Sequence, residues 1–217
     1  MRKWAGALWL VGLLLCSVGF AQDTERRYSV DPAESDLHWL VYKAGALARL
    51  GHNHAIAVGD LRGTVWTNTA DVAASRFELE FAVANLILDD SALRGTLGAD
   101  FASVPTAEDI AGTRGNMLSE RVLNGETFPN IRIVGTGPVA RDGAQALVLK
   151  VELLGRTVDL TVPARVTIDD AQVRATGEFE INHADLGMQP FSVMMGALQV
   201  GEKLSFSFSV TARREPK

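Results

Sequence analysis

ALVLKVELLGRTVDLTVPARVTI, residues 146–168, holds two strands whose phase is readable from the residues alone. Leu147, Leu149, Val151 and Leu153 alternate with Ala146, Val148, Lys150 and Glu152, the period-two signature of a half-buried strand. After Gly155-Arg156 the phase flips. Val158, Leu160, Val162, Ala164, Val166 and Ile168 now carry the apolar face, and Thr157, Asp159, Thr161, Arg165 and Thr167 the other. Pairing Leu153 with Val158, Val151 with Leu160 and Leu149 with Val162 keeps the apolar residues on one side of an antiparallel ladder. That register leaves Gly155-Arg156 as a type II′ turn, with glycine supplying the positive φ of its first position. It also sets Glu152 opposite Asp159, a mildly unfavourable like-charge pair. Pro163 has no N–H, which predicts a bulge or a sheet edge beyond it.

The same alternation recurs along the chain. Residues 28–42 read as a short strand, a proline turn and a second strand with Leu37, Trp39 and Val41 on one face and His38, Leu40 and Tyr42 on the other. Further strands are expected over 59–68, with Leu61, Val65 and Trp66, then over 76–88, 131–139, 173–182 and 203–212. The last is the cleanest: Leu204, Phe206, Phe208 and Val210 alternate with Ser205, Ser207, Ser209 and Thr211. Between Ser91 and Asn130 the strand period vanishes. Thr106 followed by Asp109 resembles a capping box, and Ile110, Met117, Leu118 and Val122 recur at helical spacing up to a stop at Asn124-Gly125. Gly112 and Gly115 disfavour helix before residue 116. The expected fold is therefore all-β: an antiparallel β-barrel of about eight strands with one helical insertion.

Charge and length bound the function. The 217 residues, 47% hydrophobic, suit one domain with either a full core or a cavity. A net charge of −5 and a pI of about 5.4 disfavour nucleic acid, which needs a basic face. Residues 1–21 have a basic start, an apolar run and small residues at Gly19 and Ala21, the pattern of a cleaved secretory signal. The expected location is periplasmic or secreted, with residues 22–217 as the mature domain. Leu15 stands where a lipobox before Cys16 would carry Gly or Ala, so lipidation is disfavoured. The mature chain then has no cysteine and neither disulfide nor thiol chemistry.

Few residues offer catalysis. No G-x-S-x-G elbow surrounds Ser103, Ser119 or Ser192, and Asp89, Asp90 and Asp100 read as solvated turn residues. His52 and His54 project to one side of an extended segment and make half of a metal site, with His183 or His38 as further ligands. Two other roles stay open for them: an ordinary loop, or hydrogen bonds to the polar end of a ligand. Residues 186–200 (LGMQPFSVMMGALQV) show no clean period but carry Met188, Phe191, Met194 and Met195, adaptable apolar side chains suited to a lid. The competing readings are an ordinary strand connection packed on the core and an exposed patch touching a membrane or partner.

The blocks YSVDPAESDLHW, ETFPNIRIVGT, VELLGRTVDLTVPARV, INHADLGM and GEKLSFSFSV, in this order from Tyr28 to Ala212, resemble the YceI-like family of bacterial secreted lipid- or polyisoprenoid-binding proteins. The resemblance implies a lipocalin-like, extended barrel holding a long-tailed amphiphile, with no catalysis and no cofactor beyond a bound polyisoprenoid or quinone-like lipid. Trp39, Val41, Trp66, Phe81, Met188, Phe191, Met194 and Met195 are then the expected cavity wall or lid. Arg49, His52, His54, Arg94 and His183 are expected at the ligand's polar end. The chain departs from the family pattern at Gly51–His54, at Arg114-Gly115, at Met117-Leu118 and at His183, all of which bear on the head group rather than the barrel. Transient membrane contact and a membrane redox partner are expected company for such a carrier. The rival reading is a histidine-based metal enzyme on the same barrel.

Overall fold

A computed structural model describes residues 25–215, so the signal-peptide expectation for residues 1–21 lies outside the described residues. The fold is all-β and antiparallel. Tyr28, in the first block, belongs to β1 (Glu25–Val30), which a short 3-10 turn at Pro32–Glu34 separates from β2 (Asp36–Ala44). Asp31 caps that turn by accepting from the Ala33 N–H. Both strands lie along one edge of the long closing strand β13 (Leu198–Arg214), β2 against residues 199–209 and β1 against 212–214. From β1 the sheet continues through β4 (Arg62–Asn68), β5 (Arg76–Ala82), β7 (Asn130–Arg141), β8 (Ala144–Leu153) and β9 (Arg156–Pro163). From β2 it branches to β3 (His54–Val58) and β6 (Leu86–Leu88). The other edge of β13 pairs with β11 (Gln172–Asn182), which carries β10 (Arg165–Ile168), and β12 (Ser192–Val193) completes the set.

The hairpin that opened the sequence reading forms, but two residues out of the expected register. Val151 pairs with Val158, Leu149 with Leu160 and Leu147 with Val162. The turn is Leu154-Gly155, both in the left-handed region at φ 53 and 69, which is the type I′ combination rather than II′. A two-residue slip leaves every side chain on its face, so alternation alone could not choose. Cross-strand charge distinguishes them. Lys150 now faces Asp159 with Nζ 2.6 Å from Oδ1, and Glu152 faces Thr157.

Among the described residues, thirteen strands replace the expected eight or so, and the ladder stays open where a closed barrel was expected. Proline accounts for two of the breaks. Pro32 divides β1 from β2, and Pro163 ends β9 before β10 begins. The free edge of β9 comes beside β11 without a ladder between them. A Cβ on Gly177 of β11 would fall 2.5 Å from the Pro163 carbonyl oxygen, so glycine permits this close approach.

The single helical insertion also becomes two helices. Asp90 caps α1 (Ser91–Thr96) by accepting from the Leu93 N–H at 2.9 Å. The Thr106–Asp109 capping box is present and starts α2 (Ala107–Leu118), earlier than the expected 116–123. Gly112 and Gly115 sit within α2 and face open space, so their cost is absorbed by the cap and by Glu108 and Asp109 in the first turn. No helix among the described residues is long and apolar enough to cross a membrane.

Candidate functional site

The apolar phases of β2, β5, β7, β8, β9, β11 and β13 converge on a cavity of about 670 Å³. That falls within the usual range for small-molecule sites, roughly 300–1,000 Å³. An aromatic seam runs along one wall. Phe206 stacks on Trp39 at 5.7 Å between centroids and on Phe179 at 5.1 Å. Leu149 and Leu160 face the cavity from the opposite hairpin. One end of the cavity is polar and is bounded by β2, the loop before β3, and the first turns of α2. His52, His54, Lys43, Glu108, Asp109 and Thr113 meet there.

His54 owes its orientation to residues far away in sequence. The chain leaves β6 through Asp89, which takes φ 54 and so turns its carboxylate back onto β3. Asp89 Oδ2 lies 2.7 Å from His54 Nδ1, and Oδ1 accepts from the Ala55 N–H at 3.0 Å and from Arg94 Nη1 at 2.5 Å. The Asp89 side chain is fully buried. Burial pushes its carboxyl up, but the hydrogen bonds from His54 and the Ala55 N–H, the His54 charge and the Arg94 bond outweigh that and hold it below the ordinary range. Arg94, on α1, also donates to Asn53 O at 2.9 Å, Phe101 O at 2.8 Å and Ser103 O. His54 Nε2, the other ring nitrogen, lies 3.5 Å from Thr113 Oγ1 on α2. His52 stands edge-on to His54 at 6.3 Å between centroids. Asp109 is held below its usual range by hydrogen bonds from the Thr106 side chain and backbone, with smaller contributions from the two nearby imidazoles.

Of the residues expected at the cavity, Trp39, Val41, Phe81, Met188 and Phe191 line it, and so do His52, His54 and His183. His183 is buried and its Nδ1 donates to Glu202 O at 2.9 Å. The other five expected residues do not line it. Trp66 faces the other side of β4, between the cross-strand arginines Arg27 and Arg76, with the Arg76 guanidinium 4.5 Å over its ring. Val65 takes the inward position instead. Met194 and Met195 point outward, 61% and 107% exposed, because both adopt left-handed backbone in the turn before β13. Arg49 is exposed beside the mouth rather than lining it. Arg94 is buried behind Asp89, its two terminal nitrogens bonded to Asp89 and three carbonyls and its Nε without a hydrogen-bond partner among the described residues.

Asp89, expected as a solvated turn residue, is instead the buried anchor of the site. Thr113, Phe179 and Phe206 join the lining without having been expected there. The two aromatics were legible as inward members of their alternations, whereas Thr113 had no sequence signal. His38 bonds Asp36 on the opposite face from Trp39, which removes it from the histidine pair. Among the described residues, no group of three or more His, Cys, Asp and Glu side chains is arranged to hold a metal ion.

The family model for the YceI-like domain matches residues 28–212. Solved structures with similar folds include BcnA of Burkholderia cenocepacia, at 15% identity and a TM-score of 0.60, covering 84% of this chain and 99% of that one. A polyisoprenoid-binding domain from Saccharophagus degradans, implicated in plant cell wall breakdown, is 11% identical with a TM-score of 0.55, covering 87% and 98%. The Campylobacter jejuni YceI protein is 9% identical with a TM-score of 0.50, covering 75% and 85%. Comparison with curated protein sequences found no match.

Proposed function

The chain belongs to the YceI-like domain family, and from that membership we propose an exported, non-catalytic protein that carries or sequesters a long-chain isoprenoid or similar amphiphile. The observation that carries this reading is the largely apolar cavity of about 670 Å³ with a cluster of polar groups at one end. Apolar walls with imidazoles among the lining suit a ligand with a long tail and a polar head. The polyisoprenoid binding of the Saccharophagus degradans relative agrees with it.

Energetics separate solubilisation from selection. Burying about 20 methylene equivalents is worth on the order of 16 kcal/mol against water, near the practical ceiling for non-covalent binding. A bilayer solvates the same tail almost as well, so tail burial makes the ligand soluble without setting the direction of transfer. Discrimination then falls to cavity length and to the polar groups at the mouth. The direct test is organic extraction of protein purified from its own host, after native mass spectrometry. A long-chain lipid at near one per protein is expected. Recovery of ligand-free protein from lipid-replete cells, together with no uptake of prenyl lipids in vitro, would reject the proposal.

Met194 and Met195 fit the same reading as a membrane-touching tip. They are exposed next in sequence to Val193 and close to Phe191 and Leu198, which line the cavity, so a bilayer met there would lie near the lining. Burying an exposed methionine side chain in an apolar phase is worth roughly 1.5–3 kcal/mol. The double substitution Met194→Ser and Met195→Ser is therefore expected to lower partition onto phosphatidylethanolamine–phosphatidylglycerol vesicles by about tenfold or more. Co-sedimentation reads this directly, and unchanged partition would place the contact elsewhere.

A further inference from the structure

We infer that the ligand's polar end is a hydroxyl group, which donates its hydrogen to His54 Nε2. The inference rests on the tail-binding reading above and specifies the head that accompanies the tail. The buried Asp89 carboxylate is an acceptor only, and it meets His54 at Nδ1, 2.7 Å away. Nδ1 must therefore carry the ring hydrogen. In the neutral ring this is the one N–H, so the Nε2 lone pair faces the cavity with the Thr113 hydroxyl 3.5 Å away. The opening is built to receive a donor.

Three head chemistries respond differently to that lone pair. An alcohol donates to Nε2 while its oxygen still accepts from the Thr113 hydroxyl, which is 3.5 Å from the same nitrogen and has a hydrogen to give. An ether or carbonyl oxygen only accepts, and would set lone pair against lone pair. A phosphate monoester is likewise an acceptor once ionised. It would also meet Glu108 and Asp109 at the same end of the cavity. Of the cations nearest this end, Lys43 is bonded to Gly51 O, Arg94 is engaged by Asp89 and three carbonyls, and Arg49 stands exposed outside the cavity lining. A site built around one hydrogen-bond partner discriminates strongly against analogues that leave it unpaired.

The test compares three ligands with one tail on the delipidated full chain at pH 8: geranylgeraniol, its methyl ether and geranylgeranyl phosphate. Binding is followed by displacement of a fluorescent fatty probe. The alcohol is expected to bind about tenfold or more tightly than either competitor. In His54→Phe, which keeps an aromatic ring but offers no acceptor, the alcohol and the ether are expected to bind alike. The wild-type comparison decides the matter even if the substituted protein does not fold. Equal binding of alcohol and ether, tighter binding of the phosphate, or an alcohol preference that survives in His54→Phe would overturn the hydroxyl inference and leave tail binding standing. Failure of all three ligands to displace the probe would instead overturn the tail-binding reading itself.

Discussion

Arg94→Met is expected to destabilise the protein by about 3–5 kcal/mol, the usual cost of removing one partner from a buried ion pair. Arg94 and Asp89 are both buried, and the pair is closed by Arg94 donating to three backbone carbonyls. Methionine keeps much of the apolar stem but leaves Asp89 with its charge uncompensated and the carbonyls of Asn53 and Phe101 without their donor. Urea melts at pH 7 read the loss as a lower midpoint at unchanged slope. Adding Asp89→Leu should restore part of it, because the isolated charge is then removed too. A single Arg94→Met change that costs less than about 1 kcal/mol would show that the pair does not hold the turn in place.

The same pair sets an acid limit. The folded Asp89 carboxyl lies below its ordinary value of 3.8. A depressed folded pKa stabilises the native state fully above the unfolded value and is lost as pH falls through the folded one. The Asp89 contribution should therefore be intact at pH 5 and fall away progressively below about pH 3.8. Asp89→Asn should be weaker at pH 7 and lose less between pH 5 and pH 3.

These two residues show why the fold was more legible than the site. Strand phase follows from alternation within one segment, and every long strand with a clean period was identifiable on that basis. Register depends on the partner segment. Moving β9 by two residues preserves both faces, and it is cross-strand charge, Lys150 facing Asp159 and Glu152 facing Thr157, that favours the observed ladder over the expected one. Side-by-side apolar residues were similarly undecided: Val65 faces inward and Trp66 outward, a choice made by the arginines on neighbouring strands. The site is less local still. His54 and Asp89 are 35 residues apart, and they meet because β6 pairs with β3 and Asp89 turns back at the end of that ladder. Asp89 and Asp90 are adjacent and chemically identical, yet one is buried against an arginine and the other caps a helix at the surface. Nothing within the Asp-Asp dipeptide records that difference.

Leu149→Trp is expected to weaken binding of a twenty-carbon prenyl alcohol by about a thousandfold while leaving the protein folded. Leu149 points into the cavity from β8, directly across the ladder from Gly135 and Leu160. Enlarging a side chain in a close-packed interior typically costs about 1–3 kcal/mol. Here the added ring enters unfilled space, so the stability change should stay within about 1 kcal/mol. Excluding about five methylene equivalents of tail removes on the order of 4 kcal/mol of burial, a factor of about a thousand in affinity. The effect should depend on length. A ten-carbon prenyl alcohol, short enough to stay between the mouth and the new indole, should bind the variant about as well as it binds the wild type. Displacement titrations with the two alcohols, beside urea melts of both proteins, separate a shortened cavity from a misfolded chain. If the folded variant bound the longer alcohol with wild-type affinity, the tail could not lie along the wall formed by β8 and β9, and the cavity would have to be assigned another occupant.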